Sequence, residues 1–183
     1  MITHKTVEAH IRNFYKAHVI SETAWLPGPT ASLWPQFRVL AIEPGPRVSL
    51  WSYVTVGAFQ VREEHPLEFV VLAPHPGESL IELVTMTTYY HHTHGLGHGH
   101  TVPIGRPWIP GADCDHLLIS RPYPLGPELE ICDVADGHFH VVWLLPITES
   151  EKNYKIENGL EELEQRFEEK RVEYWRGHRN SVV

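Results

Sequence analysis

The sequence is poor in cysteine, in positive charge and in long apolar runs, and each shortage removes a class of protein. Cys114 and Cys132 are the only cysteines in 183 residues, and no CxxC pair occurs. That excludes a disulfide-stapled scaffold and points to a reducing, cytoplasmic setting, with both thiols expected as small buried hydrophobes. Lys and Arg number 15 against 23 Asp and Glu, a formal charge of −8 with His neutral. Contacts to phosphate need clustered cations, so nucleic acid is not an expected partner. No apolar run approaches a membrane span, and Met1 to Phe14 spreads charges and histidines where a signal peptide would be apolar. GxSxG, P-loop, Rossmann and kinase motifs are all missing, so no catalytic machinery is legible and no cofactor is expected.

What the chain has instead is a stretch dense in Gly, Pro, His and aromatic residues, from Gly97 to Pro127. Pro103, Pro107, Pro110, Pro122, Pro124 and Pro127 fix φ repeatedly, so most of the stretch is excluded from helix and central strand. Yet Trp108, Ile109, Leu117, Leu118, Ile119, Tyr123 and Leu125 are too apolar for a solvated linker. The reading is a long ordered loop with one short strand, Asp115 to Ser120, laid on a core.

Around it the periodicities are clearer. Val7, Ile11, Phe14, Tyr15 and His18 recur at helical spacing and predict a helix over Thr6–Val19. Phe37–Ile42, Val48–Phe59 and Leu67–Ala73 read as strands, the last buried on both faces. Pro76 and Glu78 open a helix with Leu80, Leu83, Val84, Thr87 and His91 on one face, ended by Gly95 to Gly99. Leu129–Val134 and His138–Leu145 flank Ala135-Asp136-Gly137, a hairpin signal, with Pro146 closing the second strand. Phe139, Val141, Trp143 and Leu145 would share a face. Thr148-x-x-Glu151 is a capping box for one helix over Glu149–Glu169, with an Ile156, Leu160, Leu163, Phe167 stripe. Glu151–Lys155 and Glu162–Arg166 would pair at i,i+4, and Gly159 would mark a close helix–sheet contact. Elements in this order give an α+β fold with a mixed, mostly antiparallel sheet and helices packed on it.

Two constellations carry chemistry. His91, His92, His94, His98 and His100 are imidazoles enough to surround a metal, making a metal-binding protein or metal-dependent enzyme the alternative reading. Their spacing matches no established ligand pattern, and histidines in a last helical turn also serve the helix's open carbonyls. Trp108, Asp113, Asp115, Arg121 and Tyr123 in the central loop form the candidate partner surface, Trp108 and Tyr123 as exposed aromatic anchors and the rest as charged rim. Trp108 folded onto the sheet is the competing placement. Cys114 between two aspartates has its thiolate disfavoured, the wrong direction for a nucleophile. The acidic Glu157–Glu169 face is either plain solvated helix or a surface that steers a basic partner.

The segment from Gly99 through Gly126, then His138 into Leu145-Pro146-Ile147-Thr148 and Gly159-Leu160-Glu161, then Arg179 to Val183, resembles the suppressor-of-fused domain family. The resemblance makes 1–26 an N-terminal helix and lead-in and 27–183 the family domain, one domain overall. It implies the same mixed sheet, no catalytic metal and a protein partner. Animal members restrain transcription factors of the hedgehog pathway, their peptide held between this domain and a further C-terminal one. The sequence to Val183 does not reach such a second domain, so no peptide-contact residue is carried over. Short members resemble bacterial immunity proteins that neutralise toxins of polymorphic toxin systems, and an acidic chain would suit a basic toxin domain.

Overall fold

The computed structural model of the chain describes residues 1–134 and 137–183. Its elements run α1 (His4–Phe14), β1 (Ile20–Thr23), α2 (Thr30–Leu33), β2 (Arg38–Ile42), β3 (Trp51–Val56), a 3-10 turn (Ala58–Val61) and β4 (Leu67–Ala73). There follow α3 (Glu78–His94), β5 (Thr101–Pro103), β6 (His116–Ser120), α4 (Pro127–Glu130), β7 (Ile131–Val134), β8 (Gly137–Ile147), α5 (Glu149–Asn158) and α6 (Leu160–Glu169). One sheet has the order β1-β2-β3-β4-β8-β6-β5, with β7 also on β8. Only the β4–β8 pair is parallel among the described residues. This is the expected α+β architecture.

Side-chain alternation divides the core into two layers. Leu40, Val54, Val70, Phe139, Val141, Trp143 and Leu145 face Val7, Ile11 and Phe14 of α1 and Leu163 and Phe167 of α6. Val39, Tyr53, Phe69, Val71, Val142 and Leu144 face Leu80, Leu83 and Val84 of α3 and the central loop. A sheet covered on both sides explains why every residue of β4 is buried.

Several sequence expectations change. α1 stops at Phe14, because the Tyr15 N–H closes the helix on Ile11 O and His18 turns back to Glu43 O, so the chain can enter β1. β5 lies inside the stretch read as loop, and pairs with β6. Pro146 does not close β8: it sits opposite Leu117, where β8 is paired on one side only and a missing N–H is tolerated. Gly159, at φ 97°, splits the expected single helix into α5 and α6 and has open space around it, so it is a break and not a close contact. Ile156 is exposed as a result, while Leu163 and Phe167 stay buried. The Asp-Gly hairpin turn falls on residues 135–136, outside the described residues, although Val134 lies opposite Gly137.

Candidate functional site

The C-terminal tail is tied down by one buried ion pair, Arg179 with Glu151. Thr148 and Glu151 form the expected capping box, each side chain bonding the other's backbone N–H. Glu151 does not pair with Lys155. It is fully buried and receives both Arg179 Nη groups at 2.6 and 2.7 Å and the Val182 N–H at 3.1 Å. Arg179 also donates to Pro146 O, and Lys155 reaches Gly99 O instead. Arg166 likewise bonds Glu169 rather than Glu162. The motif residues at both ends of this region therefore hold the fold.

The tail in turn braces the central loop. Asp113 N–H bonds Gly177 O, Trp108 N–H bonds Cys114 O and Ile104 N–H bonds Asp115 O. Trp108 is only 2 % exposed, packed among the α3-side core residues, so it is no exposed anchor. A large apolar ring gains more by covering that layer than by facing water. Burial pushes the Cys114 thiol up to about 11, which leaves it a poor nucleophile. Asp113 is exposed beside His178, with Oδ2 and Nδ1 3.4 Å apart, and Asp115 bonds its neighbour His116. Arg121 is exposed 3.8 Å from Glu130, and Tyr123 is 61 % exposed. Asp113 lines a depression with the tail, whereas Tyr123 lines a different cleft on the α6 side. The five residues do not converge on one site.

The histidines disperse. His91 is buried; its Nδ1 accepts from Leu96 N–H, which leaves Nε2–H to donate to His65 O. Burial drives its pKa down to about 4, so it is a neutral core residue. His92 reaches Val61 O, His94 stacks on Tyr90 and His100 Nδ1 accepts from Gly97 N–H. No three metal-ligating side chains come together among the described residues, so the metal reading finds no support.

Sequence reasoning missed the cleft itself. It has a volume of about 660 Å³ and lies between α6, the strands β6 and β8, and the tail. Its walls include Trp143, Tyr123, Phe167 and Tyr174, and its rim Glu161, Glu164 and Glu168. The rim was half-legible: those glutamates, spaced three and four apart, belong to the acidic face already noted. That β8 brings Trp143 beneath them depends on long-range packing. No helix among the described residues is long and apolar enough to cross a membrane.

The family model described as Suppressor of fused protein (SUFU) matches residues 34–180. A putative SUFU homolog from Neisseria gonorrhoeae is 33% identical, with TM-score 0.87, over 98% of this chain and 96% of that one. A Sufu–Fu complex structure matches at 16% identity and TM-score 0.66, covering 89% of this chain and 82% of that one. Drosophila Suppressor of Fused matches at 12% identity and TM-score 0.63; 97% of this chain aligns with 50% of that one. These last two share the fold. Comparison with curated proteins finds no match.

Proposed function

The chain belongs to the suppressor-of-fused family, and from that premise we propose that it is a protein-binding module, not an enzyme. Its partner is a toxin domain of a bacterial polymorphic toxin system, which it neutralises by binding in the cytoplasm. The observation that carries the reading is the likeness to a bacterial homolog over nearly the full length of both chains. The Sufu–Fu complex supports a protein partner by analogy of fold. A net charge of −8 suits a basic partner. The central loop supports recognition because its backbone is already bonded to sheet and tail, so little ordering is lost on binding. On it the exposed Tyr123 and Arg121 are the contact residues on the α6 side, and Asp113 and Asp115 form a separate charged rim. The test is co-expression, in a bacterial host, with the product of a toxin gene found adjacent to its own. The reading predicts restored growth and co-purification; growth arrest with no complex overturns it.

A further inference from the structure

The cleft under α6 combines three properties that seldom meet in a merely packed groove. First, it carries uncompensated negative charge. Glu161, Glu164 and Glu168 line it against Arg171 alone among the described cations. Glu164 interacts with the Tyr123 hydroxyl at the cleft mouth, and its buried Oε1 lies 3.8 Å from His98 Nε2. Second, it contains a stranded donor. Trp143 is 4 % exposed and its Nε1–H has no acceptor. A buried N–H left unmet is costly; Trp108 Nε1 shares that condition in the α3-side core, but only Trp143 lines this cleft. Trp143 lies on the sheet face that α6 covers and lines the cleft. Third, the walls are aromatic. The Trp143 and Tyr174 rings meet edge to face at 4.6 Å, with Tyr123 exposed at the mouth.

We propose that this cleft receives an arginine side chain presented on an extended segment of the protein partner. The inference rests on the protein-binding reading above and deepens it by naming the chemistry recognised. The guanidinium answers the carboxylates, its plane stacks on aromatic walls, and a main-chain carbonyl of the same segment accepts from Trp143 Nε1–H. Arginine suits better than lysine because several carboxylates and flat rings match a planar fork of donors. A cleft of this volume holds one such side chain with its flanking backbone.

The test needs no toxin. The capped pentapeptide Ac-Ala-Ala-Arg-Ala-Ala-NH2 is titrated into the 15N-labelled full chain, with a citrulline peptide of the same shape and no charge as control. The Trp143 indole N–H resonance, assigned through Trp143→Phe or by triple-resonance experiments if that variant does not fold, is the readout. The arginine peptide moves it saturably, the citrulline peptide binds about tenfold more weakly, and a Glu164→Gln/Glu168→Gln variant removes the difference. No shift at millimolar peptide, or equal responses to both peptides, overturns the proposal. Failure here leaves growth rescue intact, and failure of growth rescue leaves the peptide response intact, so the two readings fall separately.

Discussion

Glutamates on the α5–α6 pair lead two different lives. Glu151 is fully buried and every one of its needs is met inside the chain: two Arg179 Nη groups, Thr148 N–H and Val182 N–H. Glu161, Glu164 and Glu168 stand one short helix further on, around an open cleft, with Arg171 as the only cation lining it among the described residues. The same side chain is thus an anchor where the fold answers it and, on the reading proposed above, a recognition element where the fold leaves it open. Charge alone distinguishes neither case; the partners do.

Breaking the anchor should have the largest effect. Arg179→Ala strands the Glu151 carboxylate in the core and should cost ~3–5 kcal/mol in urea unfolding. A loss below ~1 kcal/mol, the range of exposed pairs, would mean the tail is not held there. Next comes the helix stripe: Leu163→Ala should cost ~2–5 kcal/mol, while exposed Ile156→Ala should stay within ~0.5 kcal/mol. Equal costs at both positions would contradict the break at Gly159.

Two other buried groups sharpen the comparison through pH. His91 titrates near 4 in the folded chain against an ordinary 6.5, because burial disfavours its cation. The unfolded chain therefore binds more protons in that window, and the stability His91 contributes is full above 6.5 and lost as pH falls towards 4. Glu68 runs the other way. Burial raises it from 4.5 to about 7, despite donation from Thr55 and from the Gly57, Ala58 and Phe59 N–H groups. Its contribution is full below 4.5 and is lost as pH rises through 7. His91→Asn should flatten the acid side of a plot of urea midpoint against pH, and Glu68→Gln the neutral side. An unchanged profile in either variant removes that group from the account.

The smallest stability effect is expected at the cleft rim. Glu161→Gln/Glu164→Gln/Glu168→Gln should unfold within ~0.5 kcal/mol of the parent, since these carboxylates answer no buried partner. A larger loss would make them anchors like Glu151.

Much of the fold was legible in the sequence because its signals were local. Leu67–Ala73 is a strand to the residue, and the Thr148–Glu151 box forms as written. Phe139, Val141, Trp143 and Leu145 share the expected face. The misreadings come from tertiary terms. Nothing between Tyr15 and Val19 announces the stop of α1, which depends on His18 meeting Glu43 O across the chain. Pro146 fits a strand only because one flank of β8 is bare there. Glu151 looked like the partner of Lys155 because i,i+4 spacing is visible and Arg179, far along the chain, is not. The same limit applied to the site. Tyr123 and the acidic helix face were readable separately, but Trp108 going inward and Trp143 lying under α6 are facts of packing.

The most direct test of the central proposal, that this chain binds a protein through its unanswered surface groups, is titration calorimetry against the toxin domain that co-expression identifies as its partner. Wild type and a Tyr123→Ala/Glu164→Gln/Glu168→Gln variant would be compared on samples whose unfolding midpoints have been shown to agree. The account predicts at least about a tenfold loss of affinity, as expected for removing an aromatic contact and two charges at an interface, with the fold unchanged. Equal affinity in a fully folded variant would contradict it.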